Sequence, residues 1–241
     1  MGFYEELSKV YEYVFPIKKN AVSLLEKYFT NGDLILDMGC GNGAYSIELG
    51  KAGGKVFAVD SDESMIEKAK IKGEELDLSC TFLKEDMCKV GELFKQHKFK
   101  LAFCIGNSLV HLKSKEDIES LIKDVYDLLE ERGTFIIQII NYDRIVDYNI
   151  TALPTIENKN IEFVRNYNLR LKDEKVDFNT KLILKDKNQI FENSISLIIL
   201  GSHDLKIMLE GAGFKDVEFY GGFNNEEFTA ECIPLVVIAK K

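Results

Sequence analysis

Two acidic residues and one glycine-rich turn are the parts of this chain best suited to chemistry. The apolar run Leu34-Ile35-Leu36 ends at Asp37 and passes into Met38-Gly39-Cys40-Gly41-Asn42-Gly43. Glycine at every second position lets the backbone take positive φ and lie close to a ligand that a Cβ would block. A helical pattern, Ala44 to Leu49, follows at once, and the first N–H groups of a helix have no partner within it. A second apolar run over 55–59 ends at Asp60, about 20 residues beyond the turn, the usual offset of a carboxylate that binds ribose hydroxyls. The pattern predicts a ribose-bearing cofactor at the carboxyl edge of a parallel strand. A nicotinamide site would use G-x-G-x-x-G, whereas the glycines here fall at 39, 41 and 43 and position 44 is alanine.

Other residues could act on a second substrate. His111 titrates near neutral pH and could serve as a general base, or hold a loop by a backbone hydrogen bond. Arg165 falls by strand parity on the same face as Ile161, Phe163, Tyr167 and Leu169. Arginine is rarely buried without a partner. It therefore predicts either a clamp for a carboxylate or phosphate, or an ordinary ion pair or snorkelling side chain. No Ser-His-Asp set appears. None of Pro16, Pro154 and Pro234 precedes a cysteine, and no N-P-P-Y motif occurs. His97, His111 and His203 lack ligand spacing, so no metal is expected.

These residues need a scaffold of alternating strands and helices. An amphipathic helix carrying Ile17, Ala21, Leu24 (or Leu25) and Tyr28 precedes the first strand. Strands are expected near 80–83, 100–105 and 134–140, with a helix from Lys115 to Glu130 capped by Gly133. Such alternation builds a doubly wound, mostly parallel α/β sheet. Past residue 145 three segments alternate with period two (161–171, 176–184 and 189–200) and predict an inserted antiparallel meander. A helix over His203–Leu209, capped by Gly211, and short strands at 217–220 and 235–239 complete the chain. The expected organisation is one domain: a helical cap over 1–30, a cofactor core over 31–145, an inserted sheet or lid over 146–200 and a completing segment over 201–241. With 31 basic against 40 acidic residues, the net charge of −9 disfavours nucleic-acid partners. There is no signal segment or apolar run of spanning length, and the five cysteines are scattered. A soluble cytoplasmic protein with reduced thiols is the expectation.

The segment Asp37-Met38-Gly39-Cys40-Gly41-Asn42-Gly43 resembles the first motif of class I S-adenosylmethionine-dependent methyltransferases. The likeness continues through Val59-Asp60-Ser61-Asp62-Glu63-Ser64-Met65, Lys84-Glu85-Asp86-Met87 and Phe103-Cys104-Ile105-Gly106-Asn107-Ser108-Leu109-Val110-His111-Leu112. With Asn141-Tyr142-Asp143 it is similar to the small-molecule N-methyltransferases of the glycine/sarcosine type, although Ile140 stands where those enzymes often have arginine. The resemblance implies a Rossmann-like sheet of seven strands ending in an antiparallel hairpin. S-adenosylmethionine would be the cofactor, held by Asp37, Gly39, Cys40, Gly41, Asp60, Ser61, Met65, Asp86, Met87 and Ile105. Tyr13, ahead of Tyr4 and Tyr11, is the tyrosine expected to fold over it. Asn107, His111, Asn141 and Arg165 are the candidates on the acceptor side. The implied activity is direct methyl transfer to a nitrogen, or an oxygen, of a small metabolite. A non-catalytic cofactor-binding protein and a protein or tRNA methyltransferase stay open, with a nicotinamide-dependent oxidoreductase behind them.

Overall fold

A computed structural model describes residues 3–241, with side chains from Glu6 onward; the side chains of Phe3 and Tyr4 lie outside the described set. Near-continuous apolar runs form the central strands because both of their faces are covered. These are β1 (Leu34–Met38), β2 (Lys55–Asp60), β3 (Cys80–Lys84), β4 (Phe99–Cys104) and β5 (Leu129–Ile140). All five are parallel. The helices that connect or follow them are α3 (Ala44–Lys51), α4 (Glu63–Glu75), α5 (Val90–Leu93), α6 (Lys115–Leu128) and α7 (Tyr142–Asp147). In α6, Ser114 accepts the Asp117 N–H at 3.1 Å, a side-chain N-cap, while Ile118, Leu121, Ile122, Val125 and Leu128 form its buried stripe.

The chain returns through α8 (Ser202–Ala212), β10 (Lys215–Tyr220) and β11 (Pro234–Lys240). Strand β11 runs antiparallel between β5 and β10, giving the order β10-β11-β5-β4-β1-β2-β3. Strand order reverses between β1 and β4, the crevice where open α/β sheets bind ligands. The expected doubly wound sheet, its antiparallel ending and the inserted antiparallel sheet are all present. Apolar clusters cover both faces, one around Phe99, Phe135 and Ile137, the other around Leu24, Ile35 and Phe103.

The inserted sheet has four strands rather than three: β6 (Ala152–Glu157), β7 (Ile161–Arg170), β8 (Lys175–Leu184) and β9 (Gln189–Ile198). The extra strand β6 lies at the edge, where Pro154 needs no ladder partner for its missing N–H. Two expected helix caps differ. Gly133 lies inside β5 because α6 stops at Leu128 and passes directly into that strand. Helix α8 runs to Ala212, and its left-handed cap is Gly213 (φ 108°) rather than Gly211. Two further helices, α1 (Phe3–Val14) and α2 (Lys19–Leu25), precede β1. Leu7 and Val14 of α1 pack on Ile161, Phe163, Leu182 and Leu184 of the inserted sheet, so helix and sheet form one roof.

Candidate functional site

The carboxyl ends of β1 and β2 are sewn together by the glycine turn. The Gly39 and Cys40 N–H groups donate to the Val59 carbonyl at 2.9 and 3.0 Å. Gly39 has φ 74°, and a Cβ there would stand 2.6 Å from Ser108 Cβ; neither the dihedral nor the space admits a side chain. Asp60 is held from two sides: Gly41 N–H donates to Oδ2 at 2.8 Å and Asp62 N–H to Oδ1 at 2.9 Å. Burial raises its pKa, and these backbone donors oppose the rise. Each oxygen keeps a lone pair, so a pair of neighbouring hydroxyls finds a fixed acceptor.

Asp37 is 2% exposed and accepts a 2.6 Å hydrogen bond from Ser46 Oγ of α3. Burial pushes its pKa up to about 7, with Ser46 pulling the other way and Asp60 adding repulsion. Two carboxylates at one strand edge form an anionic site that suits a cation. Burial also raises the Cys40 thiol well above its ordinary value, so it sits in the turn as a neutral thiol. Met65 is buried without joining a core cluster among the described residues. Asp86 is exposed and accepts the Cys88 N–H at 2.9 Å, while the Met87 side chain reaches within 3.4 Å of a Cβ built on Gly39. Ser61 is exposed and Ile105 is buried in the core.

Helix α1 covers this edge. Tyr11, not Tyr13, meets the turn: its hydroxyl lies 3.3 Å from a Cβ built on Gly41, and burial and Asp60 push its pKa up to about 12. Tyr13 is 53% exposed, and its carbonyl accepts from Asn158 Nδ2 at 3.1 Å. The apolar phase Leu7, Tyr11, Val14 carried that distinction, since Tyr13 falls outside it. Lys68 Nζ donates to the Ser8 carbonyl at 2.6 Å, Asn42 Nδ2 donates to Glu12 at 3.3 Å, and Lys72 pairs with Glu12.

On the acceptor side, Asn107 adopts φ 70°. Its Oδ1 accepts from Ile140 N–H at 2.9 Å, and its Nδ2 donates to the Tyr142 hydroxyl at 3.3 Å. Gln138, the lone polar residue of Phe135-Ile136-Ile137-Gln138-Ile139-Ile140, accepts the Gly106 N–H on its side-chain oxygen at 2.9 Å. Neither Gln138 nor Tyr142 stood out beforehand; a single polar residue inside an apolar strand was the available signal. Asn141 departs from expectation. It is 0% exposed, its Nδ2 donates to the Cys232 carbonyl at 3.0 Å, and its Oδ1 accepts from Arg144 N–H at 3.2 Å. It caps α7 and fastens the β10–β11 loop, with no atom left for a ligand in this arrangement. His111 closes a short 3-10 turn after Ser108. Its ring is partly open to solvent, and surrounding protein lowers its pKa, favouring the neutral form. Arg165 lies on the inner face of the inserted sheet, as parity predicts, with Nε buried.

S-adenosylmethionine fits these observations. A turn that admits no Cβ at Gly39 gives close approach, Asp60 offers a pre-oriented acceptor for ribose hydroxyls, and Asp37 supplies charge opposite an ammonium.

Residues 35–133 match the family model described as a methyltransferase domain. The chain is 26% identical over 207 residues to the glycine/sarcosine N-methyltransferase of Aphanothece halophytica, covering 86% of this chain and 76% of that protein. The CcbJ methyltransferase of Streptomyces caelestis has a similar structure (TM-score 0.83, 18% identity, covering 97% and 95% of the two chains). CalS10, an amino pentose methyltransferase of Micromonospora echinaspora with bound S-adenosylmethionine, aligns with TM-score 0.69 at 12% identity, covering 100% and 97%.

Proposed function

Starting from a chain that belongs to the class I S-adenosylmethionine-dependent methyltransferases, we propose that it methylates a nitrogen of a small metabolite. The observation that carries this reading is the roof. Helix α1 and the inserted sheet share one apolar cluster, and Tyr11 brings that roof down onto Gly41. A covered strand edge suits a small acceptor better than a folded macromolecule. The relative from Aphanothece halophytica, a glycine/sarcosine N-methyltransferase, supports nitrogen over oxygen.

When bound, S-adenosylmethionine supplies a methyl group on a sulfonium that an amine displaces in line, a C–N bond forming as a C–S bond breaks. In this reading Asp60 binds the ribose hydroxyls, Gly39 and Gly41 lie against the cofactor, and Asp37 faces its ammonium directly or through water. Met65 lies against the adenine, and Asp86 and the Met87 N–H take its polar edge. Tyr11 closes over the site and excludes water, which favours displacement between held partners. Neutral His111 takes the nitrogen's proton on its imidazole. Asn107 and Gln138 hold the loop after β4 against β5.

Calorimetric titration with S-adenosylmethionine and S-adenosylhomocysteine, with NAD as control, tests the cofactor; product mass spectrometry on a panel of small amines tests the transfer. Micromolar binding that Asp60→Ala weakens, and methylated amines, are the expected results. No binding of either adenosyl ligand, or intact binding with products only on oxygen or on macromolecules, would overturn the reading.

A further inference from the structure

We propose that Arg165 selects a methyl acceptor that carries a carboxylate, an inference that rests on the small-amine reading above. Arg165 stands between two buried aromatic residues of β7, Phe163 and Tyr167. Phe163 belongs to the roof cluster and meets Phe15 edge-on, with 5.8 Å between ring centroids. Tyr167 belongs to the large core cluster that includes Leu109 and Tyr142. The guanidinium side chain thus lies where the roof over the glycine turn meets the wall behind Asn107.

Its surroundings offer little to balance it. The cross-strand neighbours Leu153 and Thr180 are uncharged. Nη2 donates to the Pro154 carbonyl at 2.5 Å, whereas Nε is buried without a hydrogen-bond partner. Arg170, on the same strand, is paired with Asp173 and Asp177; among the described residues Arg165 has no carboxylate partner. A buried donor of a charged group is costly to leave unmade. The simplest way to satisfy it is an anion that arrives with the substrate.

The chemistry favours a carboxylate. A guanidinium fork matches its two oxygens, and one cation balances one negative charge. A phosphate dianion would call for a second cation, and the only titratable neighbour acting on Arg165 is Tyr167. Burial pushes the Tyr167 hydroxyl up to about 12, so it remains a neutral donor beside the arginine. The acceptor class is therefore an amino acid or related amine acid.

The test compares wild type, Arg165→Met (which keeps an apolar stem) and Arg165→Lys. Calorimetry with S-adenosylhomocysteine comes first, and all three proteins should bind it equally. Release of S-adenosylhomocysteine is then followed on matched acceptors: glycine and glycinamide, sarcosine and sarcosinamide, β-alanine and its amide, with phosphoethanolamine as the phosphate arm. Wild type should favour acid over amide by about tenfold or more in kcat/KM, mainly through KM. Arg165→Met should abolish that preference and Arg165→Lys restore part of it. Equal use of acid and amide, a preference that survives in Arg165→Met, or preference for phosphoethanolamine would overturn the proposal. If no pair turns over, melting of the S-adenosylhomocysteine-loaded protein with each acid decides. A rise in Tm lost in Arg165→Met sustains the proposal, and no rise overturns it. Failure of wild type to bind S-adenosylhomocysteine would overturn the cofactor reading and this inference with it.

Discussion

Asp37 couples cofactor binding to pH. Its folded-state pKa of about 7 lies above the ordinary value of 3.8, so the folded protein holds its proton more tightly than the unfolded chain. The associated stability is complete below pH 4 and is lost as pH rises towards 7 and beyond. The ligand-free protein should therefore lose Tm across that window, and Asp37→Asn should flatten the decline in a melting series. Binding runs the other way. A cationic ammonium favours the ionised carboxylate, so wild-type affinity for S-adenosylmethionine should rise as pH passes through 7, and that of Asp37→Asn should not; calorimetry at several pH values reads this. Gly39→Ala meets both a left-handed φ and Ser108 at 2.6 Å, and should cost about 1–3 kcal/mol of stability in denaturant unfolding together with most cofactor affinity. The glycine turn and Asp60 were legible in the sequence because their spacing reflects backbone geometry. Asn141 was not, because its partners Thr229 and Cys232 lie some 90 residues further along the chain.

Helix α1 is attached to the core largely by surface polar contacts and one apolar face. The Lys72–Glu12 pair is well exposed, so Glu12→Gln should change global stability by less than about 1 kcal/mol. Opening of α1, read by amide hydrogen exchange, should become faster while the central strands keep their protection. Tyr11→Ala should raise exchange in the same helix and also weaken cofactor binding; an unchanged affinity would mean that Tyr11 only packs. At this scale the alternating strands and helices were readable from periodicity. Strand β6 was not, because Pro154 argues against a strand and only an edge position tolerates it. The α6 boundary was equally hidden: a helix passing straight into a strand has no glycine punctuation to mark it.

Over the whole molecule a net charge of −9 surrounds a site that takes a cation. Long-range attraction of this kind is screened over about 10 Å at 0.1 M salt. Stopped-flow association should therefore slow with added salt more for S-adenosylmethionine than for uncharged S-adenosylhomocysteine. The inserted sheet has its own geometry within that whole. It departs from the core through α7 and comes back at α8, where the Ser202 N–H donates to Asp143 Oδ2 at 2.9 Å and the close contact of Gly201 with Asp143 leaves no room for a Cβ. The two ends of the excursion are thus pinned to each other across 59 intervening positions. Such a seam makes the roof transplantable. A different four-stranded cassette spliced between Asp143 and Ser202 would inherit the same anchorage, letting acceptor choice diversify by graft while the machinery for the methyl donor is left untouched.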